Sequence, residues 1–219
     1  MSYGVGALMF EDRLFRLGLF VLGCSPGGNG SNFWTLLLNG DINLSITMTF
    51  VSTIAALGMM PLWMFVLGST LNEGDLIIPY GQLFISLIAL IGPISLGMWI
   101  RFRFEKGAKI MKAVIVPFTL LTVLFIFTVG IYINLFIFML ITWKTVIAGF
   151  LVAFCGYAFG AIFAWICRLK VAQITAVSIE TAFQNGGIAF VLLKLSLPPP
   201  VSGLPISYNI IYEPVAILF

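Results

Sequence analysis

Long apolar stretches with almost no charge recur along this chain, and they constrain its fold more than any other feature. A helix needs about 20 apolar residues to cross the hydrocarbon core of a bilayer. Stretches of that length predict about seven membrane segments joined by short loops: Leu14–Leu38, Ile42–Leu67, Tyr80–Ile100, Ala113–Ile137, Thr145–Ile166, Val171–Leu193 and Val201–Phe219. The chain is therefore expected to be an all-α polytopic membrane protein with one transmembrane domain over residues 1–219.

The composition excludes a soluble domain. Apolar residues make up 61% of the 219 positions and charged residues 9%, whereas a soluble domain carries about 25% charged residues. Histidine is absent, which removes the most common general base and any catalytic Ser–His or Cys–His pair. We therefore expect neither an enzyme nor a nucleic-acid partner, and the solvent of this chain is the lipid bilayer.

The loops predict how the chain is oriented. Residues 101–112 place five cationic side chains in one short connection, and short basic loops lie on the cytoplasmic side. The same topology places Arg168 and Lys170 inside, and residues 72–75 and 194–203 outside. We expect a multi-pass protein of the plasma membrane with loop 101–112 in the cytoplasm.

Two segments contain residues that interrupt a membrane helix. Leu14–Leu38 carries Pro26 and four glycines between positions 23 and 30. Val171–Leu193 carries a polar cluster that ends in Asn185-Gly-Gly. Unpaired backbone groups in hydrocarbon are costly, so a broken helix is tolerated only where it is buried in protein or lines a polar cavity. Glycine kinks that allow close helix packing are the alternative, but a pair of interrupted segments favours a transport site.

Glu180 lies inside the second interrupted segment. A carboxylate within a span costs about 2.5–3.5 kcal/mol, so it normally has a partner. Apart from Arg16, near the start of the first segment, the spans contain no basic residue, because Lys144, Arg168 and Lys194 lie at span ends or in loops. The partner of Glu180 is therefore a proton or a bound cation. Glu213, in the last segment, is interpreted as a hydrated carboxylate near the membrane interface.

Oxygen-bearing side chains near these segments favour sodium as the bound cation. Ser45, Thr49 and Ser52 recur at helical spacing and share one face of Ile42–Leu67. Hydroxyl, amide and carboxylate oxygens suit hard cations, whereas softer metals would need Cys or His ligands. Hydrogen bonding of each hydroxyl to its own helix is the alternative interpretation of these residues.

Two motifs resemble one family of transporters. Gly23-Cys-Ser-Pro-Gly-Gly-Asn-Gly-Ser-Asn32, followed by Asn39-Gly-Asp41 and Leu57-Gly-Met-Met-Pro61, resembles a long signature of the bile acid:sodium symporter family. Glu180-Thr-Ala-Phe-Gln-Asn185 is similar to the crossover motif of the same family. The resemblance extends over nearly all of residues 14–219.

The resemblance implies a fold and a domain division. The fold would be an inverted repeat of about ten helices, with two broken helices that cross at the bilayer midplane. The chain would then comprise a core, residues 14–67 and 145–219, and a partial panel, residues 80–137.

The same resemblance implies where ligands bind. One sodium site would use the side chains of Ser31, Asn32, Ser45, Thr49 and Glu180. A second would use Glu180, Gln184 and the backbone oxygens of Thr181 and Phe183. The transported organic anion, a bile acid or a steroid conjugate, would lie near Asn29, Asn185 and Asn209.

The chain departs from the family pattern. Ser25 stands at the position of the family's second cysteine, and Asn29 stands where the family has a small polar residue. The chain resembles the fourth to tenth helices, so we expect a fragment or isoform that lacks the first three. Their absence is expected to leave Glu180 near lipid or reached by a water defect, and to prevent residues 1–219 from transporting alone.

Sodium-driven symport of an organic anion, with Na⁺ as the coupling ion, is the leading functional prediction. Two alternatives stay open on the sequence alone. One is a proton-coupled transporter. The other is a truncated, non-transporting or regulatory membrane protein that associates with a full-length homologue.

Overall fold

The computed structural model describes residues 1–68, 80–104, 124–133 and 142–196, together with positions 70, 114, 117, 118, 120–122 and 135. Its main helices, in chain order, are α1 (Ser2–Met9), α2 (Arg13–Cys24), α3 (Asn29–Leu37), α4 (Ile42–Trp63), α5 (Tyr80–Arg103), α6 (Trp143–Ile166), α7 (Val171–Ala182) and α8 (Gly186–Ser196). A π-helical turn, Met64–Gly68, continues α4. A second π-helical turn, Ile126–Gly130, leads into a short helical stretch, Ile131–Ile133. The described chain has the all-α fold of a membrane protein.

Among the described residues, three helices are long and apolar enough to cross a membrane, and they confirm three of the predicted spans. They are Ile42–Gly68, Tyr80–Ile100 and Trp143–Ile166. Large apolar side chains cover their outer faces, as a lipid environment requires. The predicted span Ala113–Ile137 is described only in part, and Val201–Phe219 lies outside the described residues.

The two interrupted segments are broken helices, as predicted. Helices α2 and α3 are separated by an extended stretch, residues 25–28, and α7 and α8 are separated by residues 183–185. The two extended stretches pair in antiparallel fashion, with Gly27 opposite Gln184. The breaks therefore lie against each other and supply hydrogen-bond partners that neither broken helix has within itself.

Two hydrogen bonds close this crossover. The amide N–H of Gly28 donates to the carbonyl of Phe183 over 2.9 Å, and the N–H of Asn185 donates to the carbonyl of Pro26 over 2.9 Å. A Cβ atom on Gly28 would lie 2.7 Å from the carbonyl oxygen of Gln184. Glycine is required there because the two backbones approach too closely for any side chain.

Helix α6 packs directly against α7. A Cβ atom on Gly160 would lie 2.9 Å from the carbonyl oxygen of Val177, and one on Gly156 would lie 3.1 Å from that of Thr181. Small residues one turn apart allow such close approach of membrane helices. Helix α6 therefore supports α7 immediately behind the second break.

Beyond the breaks, α2 and α8 pack with α4 and α5 around an apolar core. It draws members that are at most 2% exposed from all four helices and from the π-turn that follows α4, among them Leu22, Met60, Met64, Leu87 and Leu192. On the other side of the breaks, α3, α4 and α7 contact one another. Their shared interior is polar, and it contains the candidate site.

Candidate ion-binding site at the helix crossover

Glu180 is buried at the centre of the polar interior, with 4% of its surface exposed. Its Oε2 accepts hydrogen bonds from the hydroxyls of Ser31, over 2.5 Å, and Ser45, over 3.2 Å. Its Oε1 accepts from the hydroxyl of Thr49 over 2.6 Å. One carboxylate thus joins three helices, because Ser31 belongs to α3 and the other two hydroxyls belong to α4.

Local sequence explains why these hydroxyls converge. Ser45 and Thr49 are four residues apart on α4, so they project from one face of the helix. Asp41 caps the N-terminus of α4, because its side chain accepts hydrogen bonds from the N–H groups of Asn43 and Leu44 over 3.0 and 3.2 Å. Ser31 lies in the first turn of α3, whose partly positive N-terminus favours a nearby negative charge.

Asn32 contributes an oxygen without a partner. Its Nδ2 donates to Thr49 Oγ1 over 3.0 Å. Its Oδ1 is buried and has no hydrogen-bond partner among the described residues. An unsatisfied buried acceptor costs about 1–3 kcal/mol. A cation beside Glu180 would remove that cost, because an amide carbonyl oxygen is a good ligand for hard cations.

The hydroxyl of Ser31 faces more acceptors than it has protons. It lies 2.6 Å from the carbonyl oxygen of Gly28 and 2.5 Å from Glu180 Oε2. One hydroxyl donates one hydrogen bond. The arrangement is satisfied when Glu180 carries a proton, or when a cation binds between the two side-chain oxygens. Within the described part of the chain, no basic side chain pairs with Glu180.

A cavity of about 290 Å³ adjoins the crossover. Glu180, Thr181 and Gln184 line one side of it. Residues of the first broken helix and of α4 line the rest: Cys24, Ser25, Pro26, Gly27, Met48, Ser52, Ala55, Ala56 and Met59. The cavity therefore combines a largely apolar wall with polar groups at the two breaks.

The sequence profile of the Sodium Bile acid symporter family matches residues 5–142, which is more than half of the 219-residue chain. This chain belongs to the sodium bile acid symporter family. Individual relatives extend the similarity past the residues that the profile matches.

Relatives from mouse and rat resemble most of the chain. The ileal sodium/bile acid cotransporter of Mus musculus is 32% identical over 204 residues, which are 92% of this chain and 58% of that protein. The hepatic sodium/bile acid cotransporter of Rattus norvegicus is 32% identical over 218 residues, covering 96% of this chain and 59% of that protein. P3 protein of Mus musculus is 35% identical over 186 residues, covering 84% and 39%. The chain thus spans 59% or less of the length of these relatives.

The structure brings together all five side chains that resemblance to the symporter family assigns to one sodium site. Ser31, Ser45 and Thr49 bind Glu180 directly. Asn32 reaches the same group through Thr49. The expectation that Glu180 would lie near lipid is not met, because α3, α4, α7 and the first break at Gly27 surround it.

The residues assigned to a second sodium site lie at or next to the second break, where the backbone oxygens of Thr181 and Phe183 have hydrogen-bond partners. The carbonyl of Thr181 accepts the side-chain Nε2 of Gln184 over 3.1 Å. The carbonyl of Phe183 accepts the N–H of Gly28. Each carbonyl oxygen retains a second lone pair for a cation.

Of the three asparagines expected near an organic anion, the structure describes the side chain of Asn185 alone. Asn185 Oδ1 accepts the N–H of Ile188 over 3.1 Å and so caps α8. Asn29 is the first residue of α3, and its side chain lies outside the described part of the structure. Asn209 and Glu213 also lie outside the described residues.

Sequence reasoning missed two features of the site. Thr35 is fully buried on α3 and donates to Ser45 over 3.2 Å. Gly27 faces the carboxylate so closely that a Cβ atom there would lie 2.1 Å from Glu180 Oε1. The spacing of Thr35, one helical turn after Ser31, was the available signal for the first.

Proposed function

We propose that the crossover binds Na⁺ at Glu180 and that sodium binding drives symport of an organic anion. One observation carries the proposal. Among the described residues, the buried carboxylate of Glu180 has hydroxyl donors and no basic partner, and Asn32, which binds Thr49 at the same site, has an amide oxygen without a hydrogen-bond partner. Such a site requires a positive charge, and its oxygen ligands suit a hard monovalent cation.

Coupling follows from where the ligands originate. Ser31 and Asn32 belong to the first broken helix, Ser45 and Thr49 to α4, and Glu180 to the second broken helix. A cation held by all three helices stabilises their packed arrangement. An anion that binds the same arrangement then binds more tightly when sodium is present, and the reverse holds equally.

The organic anion is the second substrate of this proposal. Relatives of the chain are named sodium/bile acid cotransporters. The cavity beside the crossover, with its methionine and alanine wall, suits an apolar molecule. Asn185, within the second break, and Asn29 and Asn209 are the polar residues proposed to contact it.

Proton coupling is the second candidate function. The observation in its favour is the hydroxyl of Ser31, which has two acceptors for one proton and is satisfied when Glu180 is protonated. The two candidates differ in what drives uptake. Uptake at constant pH that follows the sodium gradient supports sodium coupling, whereas uptake that follows a pH gradient without sodium supports proton coupling.

Sodium binding is tested on the purified chain in detergent. Thermal unfolding is followed in NaCl and in choline chloride at equal ionic strength. We expect sodium to raise the unfolding temperature, since a ligand at 100 times its Kd stabilises the folded state by about 2.7 kcal/mol. Glu11→Gln is the matched control because Glu11 is an exposed carboxylate. Equal unfolding temperatures of the wild type in both salts would reject the sodium site.

Transport is tested in proteoliposomes with a labelled bile acid and an inward sodium gradient. Because the relatives are longer, we compare residues 1–219 with a chimera that adds the N-terminal helices of the mouse ileal relative. We expect sodium-driven uptake by the chimera and none by residues 1–219 alone. Uptake by residues 1–219 that appears only on co-expression with a full-length relative would instead support the regulatory alternative.

Orientation is part of the same proposal. Single cysteines placed at Lys106 and Gly74 should react with membrane-impermeant thiol reagents from opposite sides, with Lys106 cytoplasmic. If the protein lies in the plasma membrane of intact cells, Gly74→Cys should be labelled from the medium. Labelling of both positions from the medium would contradict this orientation.

A further inference from the structure

We propose that Thr35 is a positioning residue of the cation site and acts through Ser45. The inference rests on the proposed sodium function. Thr35 lies on α3, one turn after Ser31, and its side chain is fully buried. Its Oγ1 lies 3.2 Å from Ser45 Oγ. Thr35 is thus linked to the carboxylate of Glu180 through the hydroxyl of Ser45.

Proton counting fixes the direction of this hydrogen bond. An ionised carboxylate only accepts hydrogen bonds, so Ser45 must give its single proton to Glu180 Oε2. Ser45 therefore accepts from Thr35. Of the two lone pairs on Ser45 Oγ, one is occupied by Thr35 and one is left for a cation. Thr35 thus sets which way the remaining lone pair points.

A parallel arrangement serves the other carboxylate oxygen. Asn32 Nδ2 donates to Thr49 Oγ1, which lies 2.6 Å from Glu180 Oε1. Each hydroxyl of α4 at this site thus accepts from α3 and donates to Glu180. Thr35 and Asn32 thus have the same relation to the carboxylate: each donates a hydrogen bond to a hydroxyl that itself donates to Glu180.

The turn after α3 holds Thr35 in place. Gly40 donates its N–H to the carbonyl of Thr35 over 2.8 Å. A Cβ atom on Gly40 would lie 2.7 Å from the Thr35 methyl group, Cγ2. A threonine side chain is stiff at χ1, so a methyl group packed against Gly40 also fixes the hydroxyl. Substitution of Gly40 by alanine would therefore turn the hydroxyl of Thr35 away from Ser45.

A purely structural role for Thr35 makes a different prediction. If its hydroxyl merely satisfies a buried group, its loss lowers the unfolding temperature equally with and without sodium. If it positions Ser45, its loss raises the sodium concentration needed for half-maximal stabilisation. The effect must then disappear when Ser45 is already absent, because there is no longer a hydroxyl to orient.

The test measures half-maximal sodium stabilisation of the purified chain for Thr35→Val, Thr35→Ser, Ser45→Ala and the double variant Thr35→Val/Ser45→Ala. We expect Thr35→Val to raise that concentration about 3- to 10-fold, the range of one neutral hydrogen bond. Thr35→Ser retains the hydroxyl and should stay within about twofold of wild type. The double variant should match Ser45→Ala alone.

Thr53→Val is the matched control. Thr53 is a buried threonine on α4 whose hydroxyl donates to the backbone carbonyl of Thr49 over 2.6 Å. It should leave the sodium concentration unchanged. Should Thr35→Val fail to fold, Gly40→Ala keeps the hydroxyl of Thr35 and should show the same rise in the required sodium concentration.

The outcomes separate this inference from the function on which it rests. A wild-type chain without any sodium response removes the proposed sodium site, and the role of Thr35 with it. A wild-type sodium response that Thr35→Val and Gly40→Ala leave unchanged overturns the role of Thr35 alone. Additive effects of Thr35→Val and Ser45→Ala would likewise show that Thr35 does not act through Ser45.

Discussion

Helix α4 passes through two buried environments that differ in polarity and not in burial. Along one face, Ser45 and Thr49 lie in the polar interior with at most 1% exposed. Further along the same face, Ala56 and Met60 lie in the apolar core with at most 4% exposed. One half of the helix thus surrounds a charge, and the other half packs against α2, α5 and α8.

The difference teaches that burial alone does not distinguish a site from a core in this protein. In the apolar half, side chains are replaceable by others of similar volume. In the polar half, each hydroxyl has a specific donor or acceptor, so replacement by an apolar side chain of the same size removes a hydrogen bond of the site. Substitutions in the two halves should therefore separate by their dependence on sodium, and the following predictions are ordered by the size of the expected effect.

Glu180→Gln should have the largest effect on sodium response. It keeps the shape of the side chain and removes the charge that a bound cation requires. We expect loss of the entire sodium-dependent shift in unfolding temperature, while the protein still folds in choline chloride. A Glu180→Gln protein with the sodium response of the wild type would contradict the assignment of the site.

Met60→Ala should destabilise the protein without changing its response to sodium. Met60 is fully buried in the apolar half, and truncation of a buried methionine costs about 2–5 kcal/mol. The unfolding temperature should fall by the same amount in NaCl and in choline chloride. A selective loss in NaCl would show that the two halves of α4 are coupled.

Ser45→Ala and Thr49→Ala should each weaken sodium binding without abolishing it. Each removes one oxygen among several, and an interaction with a charged group contributes about 1.5–3 kcal/mol. The sodium concentration for half-maximal stabilisation should rise about tenfold or more. Titration of the unfolding temperature with NaCl measures this rise, and an unchanged midpoint in both variants would remove α4 from the site.

Ser52→Ala should have the smallest effect of this series. Ser52 lies between the two environments and accepts the N–H of Gly27 over 3.2 Å. Its loss should cost about 1 kcal/mol of stability and shift the sodium midpoint by less than about threefold. A larger shift would extend the cation site to the edge of the cavity.

Much of this organisation was predictable from the sequence. The proline and glycines near Pro26 and the Asn185-Gly-Gly run predicted both breaks, because backbone at membrane depth tolerates such residues only at a buried or polar position. Spacing predicted that Ser45 and Thr49 share a face. Resemblance to the family assigned Ser31 and Asn32, which lie far from Glu180 in the sequence, to one site with that carboxylate.

Other features depend on tertiary geometry that no local pattern encodes. The oxygen of Asn32, which has no partner among the described residues, is left so because the nitrogen of the same amide faces Thr49. The burial of Glu180 depends on how closely Gly27 approaches it. The sequence could not predict this burial, because no local pattern shows how tightly the helices of this chain enclose the carboxylate.

The paired breaks also have a consequence for how the chain is made. A membrane protein is synthesised from its N-terminus, so the first break leaves the ribosome long before the second. The N–H of Gly28 and the carbonyl of Pro26 have their partners in Phe183 and Asn185, which are made only after α4, α5, α6 and α7. Until then these groups need water or the insertion machinery as temporary partners, because hydrocarbon offers none. The two hydrogen bonds of the crossover can therefore form only after synthesis has passed α7.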